Sequence, residues 1–295
     1  GKLTSATDTW GAFVSRSEDN SWSKGYALYR DVNNDNNNLT VGGYVGKWSD
    51  SRTTTAIQTN QNTIMSLHYD YSDHNLSLFR NEDETNRYYD KKIHSQKAET
   101  LWLGWARGVG NGHYLDGDVA ETIILKRTVN VAERIIIHNY LSAKYNIPLT
   151  SNNYFTHDDG DKEFDHNVAG IGKVDSNNYY LDSKGTGIIR ISKSNLANNK
   201  FLFWGENNKN ATYSFTSSYG EDCYDYIDTM WRVSEHNPIN NKLRMRINKS
   251  DLNLPLTNNY QNLELVVADN PDFTDASVYG LEDIGAEFVY DVDGL

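Results

Sequence analysis

A single cysteine, Cys223, is the only thiol in 295 residues. No disulfide can close within the chain, which excludes a disulfide-stapled secreted scaffold. In the run EDCYDY this thiol sits among acids, which raise its pKa, so it reads as buried or idle rather than nucleophilic. No apolar run approaches the roughly 18 residues of a membrane-spanning helix, and no secretory leader is recognisable. Basic residues are also short: 28 Lys and Arg face 40 Asp and Glu, for a formal net charge of -12. Such an excess repels phosphates, so neither a nucleic acid nor an anionic lipid surface is expected as a partner. It is compatible with calcium, whose preferred ligands are carboxylates and carbonyls, and equally with solubility alone.

Several catalytic patterns are missing too. The eight histidines are scattered, with no pair at zinc spacing on a recognisable element. No Glu-x-Asp-x-x-Glu strand sets two carboxylates around a glycosidic bond. Glu82, Asp83 and Glu84 read as a solvated turn within the polar hairpin loop NEDETN. Lys92-Ile93-His94 faintly resembles the His-bearing strand of some polysaccharide lyases, but the other lyase strands have no counterpart. The chain is therefore expected not to be an enzyme, with a polysaccharide hydrolase or lyase as one alternative.

What is present is strand texture. Aromatic residues make up 12% of the chain, enough large side chains for two cores of about 150 residues each. Short runs such as WGAFVSR, GYALYR and NLSLFR are separated by Asn/Asp/Gly-rich turns, the pattern of a sandwich or jelly roll. The clearest strand is Lys242 to Asn248, with Leu243, Met245 and Ile247 on one face and Lys242, Arg244 and Arg246 on a wet basic face. Residues 116 to 148 break the texture. Val119 to Lys126 is predicted to be a central strand. Asn130 to Tyr145 is predicted to be a helix, capped by Asn130 with Glu133 reaching back, striped by Ile136, Ile137, Tyr140, Leu141 and Tyr145, and stopped by Pro148. The expected fold is all-β: two tandem sandwich or jelly-roll domains, 1–148 and 149–295, joined by one short helix at about 130–145.

Residues 116 to 147, DGDVAETIILKRTVNVAERIIIHNYLSAKYNI, resemble the end of a laminin-G-like (concanavalin A-like) jelly roll. HNVAGIGKVD (166–175), FLFWGENN (201–208) and MWRVSE (230–235) are similar to the second β-sandwich that follows it in large secreted bacterial surface adhesins. The resemblance implies a secreted, cell-surface module, a monomeric segment of a longer chain. Its partners would be surface glycans or neighbouring adhesin domains, with no membrane insertion. It leaves open whether the module binds glycan or only positions a neighbouring ligand-binding domain.

Two sets of residues are candidates for chemistry. HDDGDKEFDHN gathers Asp158, Asp159, Asp161 and Asp165 in a short loop, where clustered carboxylates repel unless a cation sits between them. Asp116 and Asp118 are a second calcium candidate, favoured by the jelly-roll resemblance. Calcium is thus the expected cofactor, structural or bridging. For sugar binding, the loop ARGVGNGHY supplies glycines that admit a ligand to the backbone, with Trp105, Asn111, His113 and Tyr114 around it. Trp22 and Trp48, with Tyr26 and His74, are further rings on which a pyranose face can stack.

Overall fold

The computed structural model describes residues 1–4, 10–17, 25–31, 39–46, 52–89, 100–106, 113–157, 164–210, 212–217, 225–240, 242–253, 263–270 and 272–293. The chain is mostly β, with antiparallel sheets and, among the described residues, one α-helix, and it divides into two compact units. The first comprises Gly1–Val129 with Ile147–Ser151, the second Asn130–Asn146 with Asn152–Leu295.

In the first unit a five-stranded sheet runs in the order Arg52–Ile57, Leu39–Val45, Gly25–Arg30, Ala12–Ser17, Trp102–Leu103. A three-stranded meander, Met65–Asp70, Asn75–Arg80 and Asp83–Tyr88, shares a core with it built from Leu3, Phe13, Leu28, Val41, Ile57 and Leu78. The larger sheet is buried on its other face as well, where Tyr29 and Tyr44 lie over Ala12, Ala27 and Ala106. This explains why GYALYR reads as a nearly continuous apolar run rather than an alternating one. The predicted hairpin loop NEDETN is corrected: only Asn81 and Glu82 turn, and Asp83–Tyr88 is a strand. Its polar side chains are engaged, with Glu84 accepting across the ladder from Ser77 Oγ at 3.1 Å and along its own strand from Arg87 Nη2 at 2.6 Å.

Glu82 is buried and holds the segment after the helix against this unit. One of its oxygens, Oε1, accepts from the Thr150 hydroxyl at 2.6 Å, from the Ser151 amide at 2.8 Å and from the Thr150 amide. Burial opposes its ionisation, but the hydrogen bonds from the Thr150 side chain and from the Thr150 and Ser151 amides outweigh that, and its pKa is lowered.

The predicted strand Val119 to Lys126 is also corrected. Among the described residues no strand spans it, and Ile123, Ile124 and Leu125 are exposed. Only Gly117–Asp118, just upstream, is paired, with Lys2–Leu3. A β-branched run forms a strand only where a neighbouring backbone offers a ladder, so propensity alone did not decide it.

In the second unit a four-stranded sheet, Tyr179–Tyr180, His166–Lys173, Lys200–Glu206 and Trp231–His236, shares a core with a six-stranded one. The latter runs Asp182–Ser183, Ile189–Ser192, Lys242–Asn248, Glu287–Asp293, Ser277–Asp283, Leu263–Val267. Lys242–Asn248 alternates as expected, with Leu243, Met245 and Ile247 buried. Its basic face is not left bare. Arg190 and Arg246 are cross-strand neighbours, and Asp182 accepts from both, at 2.6 and 2.7 Å from Arg190 and 2.9 Å from Arg246. Hydrogen bonding from Arg190 and then Arg246 keeps the Asp182 pKa below the usual carboxylate range.

The helix, Val131–Tyr145, starts at the expected capping box: the Asn130 side chain accepts from the Glu133 amide, and Glu133 accepts from the Asn130 amide. Asn146 closes it in the left-handed region. The predicted stripe is rotated in the structure. Ile137, Tyr140, Leu141 and Tyr145 are only half-buried, while Ala132, Ile135, Ile136, Asn139 and Ala143 are buried. The inner face packs on Phe155, Val168, Phe201 and Phe203 of the second unit. Two alanines let the helix lie close to the rings, and Gly170 and Gly172 leave the room the rings occupy. A Cβ at either glycine would lie within 2.7 Å of Phe203 or Phe201.

Asn139 completes that face. Its amide donates to the carbonyls of Ile135 (2.9 Å) and Asn152 (2.8 Å) and accepts from the amides of Tyr154 (2.8 Å) and Phe155 (3.0 Å). The side chain thereby fixes the strand-like segment that carries Phe155 into the core. An Asn139→Leu variant keeps the volume but strands two amides, and is expected to lose about 2–4 kcal/mol in urea unfolding of the second unit. The Glu82 contact predicts acid sensitivity. Its stabilisation is complete above the unfolded value of 4.5 and is lost as pH falls through the lower folded pKa. Below pH 4.5 wild type should therefore destabilise more steeply than Glu82→Gln, measured by thermal melting across a pH series.

Candidate functional site

Of the sugar candidates on described residues, Trp105, His113 and Tyr114 lie on one hairpin of the first unit, whereas Tyr26 sits on the strand Gly25–Arg30 and His74 in the turn before Asn75–Arg80, against Tyr69 and Tyr71. Trp105–Ala106 pairs with His113–Tyr114, so that Trp105 lies directly opposite Tyr114 and Ala106 opposite His113. Directly opposed residues in an antiparallel ladder share a face. The loop they carry, 107–112, contains Asn111 and lies outside the described residues, as do Trp22 and Trp48.

Trp102, which sequence reasoning passed over, belongs to the same cluster. Its ring meets Trp105 edge-on, with centroids 4.5 Å apart at 63°. Gly104 between them has φ of +70°, a conformation that turns the chain so that two tryptophans three residues apart can touch. The backbone is tied on both sides of this turn: Ser15 Oγ donates to the Trp105 carbonyl at 2.7 Å, and the Gly104 carbonyl accepts from the Leu115 amide at 2.9 Å. The rings are therefore held on strands rather than on a free loop. Trp102 is 40% exposed and Tyr114 67% exposed, next to exposed Leu101 and Leu103. Rings this large are ordinarily inside a sandwich, and their gathering at one surface is the informative feature. His113 is half-buried, and burial lowers its pKa, so at neutral pH it offers a neutral ring. The LWLGW spacing was the available signal for Trp102, but without the φ of Gly104 it reads as plain strand alternation.

The acidic candidates are placed differently. Asp158, Asp159 and Asp161 lie outside the described residues, and Asp165 pairs with His166 Nδ1 at 2.8 Å. Asp116 accepts from Thr4 Oγ1 at 2.8 Å, and Asp118 pairs with Lys2 Nζ at 3.3 Å. Among the described residues no three His, Cys, Asp or Glu side chains gather as a metal-binding group.

A deeply buried acid lies in the second unit, in the FLFWGENN motif. Glu206 is 1% exposed and fully engaged. Oε1 accepts from Tyr213 OH (2.5 Å) and Asn167 Nδ2 (2.6 Å), and Oε2 accepts from Trp231 Nε1 (2.8 Å). Burial and this carboxylate push the Tyr213 phenol well above its ordinary value. Both oxygens are met by donors of the fold, so the group acts as a structural knot joining His166–Lys173, Lys200–Glu206, Trp231–His236 and the segment of Tyr213. Glu206→Gln would turn an amide N–H toward one of these donors. An expected loss of about 1–3 kcal/mol in chemical unfolding, with the sheet retained by circular dichroism, checks that role.

No curated protein and no solved structure matches the chain. A family model does match, over residues 133–292, more than half of the chain and all but the first two residues of the helix. The chain thus belongs to the family described as a domain of unknown function (DUF8202).

Proposed function

We propose that the chain is a non-catalytic, extracellular segment of a bacterial surface adhesin, in which the first unit binds glycan and the second carries it. The observation behind this reading is the gathering of Trp102, on the edge strand of the five-stranded sheet, with Trp105 and Tyr114 of the adjoining hairpin, two of the three rings being open to solvent. A pyranose presents an apolar C–H face that stacks on such rings, while backbone and side-chain polar groups bond its hydroxyls. The laminin-G-like resemblance of residues 116 to 147 supports the same reading. In it calcium is a structural or bridging ion held by the acidic loop of Asp158, Asp159 and Asp161.

A scaffold role for the second unit has its own support. Four of its described acids are engaged within the fold: Glu206 by three donors, Asp182 by two arginines, Asp251 by Lys184 at 2.6 Å and Asp283 by Lys249 at 2.6 Å. A surface whose charges satisfy one another contributes shape more than recognition.

A glycan array probed with and without calcium tests the proposal. Binding is expected to fall at least tenfold in Trp102→Ala and in Tyr114→Ala, a loss of about 1.4 kcal/mol or more, with melting temperatures unchanged. An array blank under both conditions would overturn glycan binding and favour the scaffold role for both units.

A further inference from the structure

The six-stranded sheet of the second unit ends in an arm. Leu263–Val267 is its edge strand, paired among the described residues only with Ser277–Asp283. That second strand in turn is laddered to the body of the sheet at Glu282 and Asp283, opposite Val289 and Phe288, while Tyr279 meets Tyr290 with centroids 5.1 Å apart and Leu263, Leu265 and Leu281 pack on the core. From Ser277 to Gly280 the arm is exposed, and Val266 and Val278, directly opposed across its ladder, are 47% and 57% exposed. A two-stranded ribbon is marginal in water and gains stability from a third strand. The edge itself, LELVV, carries no Pro, Lys or Arg to repel another chain, contrary to the usual protection of such edges.

The pattern of the edge says what would fit. A two-fold axis through Leu265 sets Leu263 against Val267, and Glu264 against Val266, of a second strand LELVV running antiparallel. All like-faced residues stay on their own face, and no two charges meet. Centring on Glu264 instead would face two carboxylates, and centring on Val266 would leave Leu263 beyond the five-residue edge.

We propose that this edge pairs with the same edge of a second copy of the chain, forming a two-fold, edge-to-edge dimer in which two arms become a four-stranded ribbon. The contact is small, below the area of a standard interface, so the dimer is weak and concentration-dependent.

Sedimentation velocity of the whole chain from roughly 10 μM to 1 mM should show a reversible monomer–dimer shift. Val266→Glu puts a carboxylate opposite Glu264 of the other copy and should weaken association at least tenfold. Adding Glu264→Lys to it restores opposite charges in register and should bring association back. Hydrogen exchange of the Leu263–Val267 amides, which needs no variant, should slow as the dimer fills. A single sedimenting species at all concentrations, association indifferent to Val266→Glu, or no recovery in the double variant would each overturn the proposal.

Discussion

Phe201 and Phe203 lie nearly parallel, with centroids 6.2 Å apart, on one face of a sheet strand, and the helix rests on them. This contact needs room on the neighbouring strand, which Gly170 and Gly172 provide, and a thin helix face, which Ala132 and Ala143 provide. Once the rings are seated, the opposite face of the same sheet is free to present Ala169, Ile171, Leu202 and Trp204 to the larger sheet. The second unit is thus layered as helix, sheet and sheet, with the phenylalanines in the first joint and the branched aliphatics in the second. Close packing at both joints makes each intolerant of added volume.

Polar residues finish what the apolar ones begin. Asn139 is buried on the helix because it carries a full set of backbone partners, and Glu206 is buried because three side-chain donors converge on it. Buried polar groups of this kind contribute little net energy when satisfied and cost a great deal when not, so they select one arrangement over near alternatives. In the second unit Glu206, Asp182, Asp251 and Asp283 are engaged within the fold, and in the first Trp102 and Tyr114 stand at the surface.

Much of this was legible in the residues. The capping pattern of Asn130 and Glu133 located the helix, and strict alternation in KLRMRIN located a central strand of the second unit. The aromatic hairpin was partly legible, because Trp105, His113 and Tyr114 flank a glycine-rich loop. Trp102 was not, because the turn at Gly104 is a backbone state that composition does not encode. The helix stripe was misjudged for a related reason. Ile137 is far more apolar than Asn139, yet it is Asn139 that is buried, because the inner face is set by what the opposing elements can accept, not by side-chain hydropathy.

By itself, then, the sequence determined the β character, the helix and its cap, the exclusion of intrachain disulfides and the acidic surface, since each rests on local periodicity or on composition. Tertiary structure alone decided that the run from Val119 to Lys126 stays unpaired among the described residues, that NEDETN joins a ladder, and that Trp102 meets Trp105. Those outcomes depend on which backbone comes alongside, and a ladder or a ring contact exists only when residues far apart in the chain are brought to within a few ångströms.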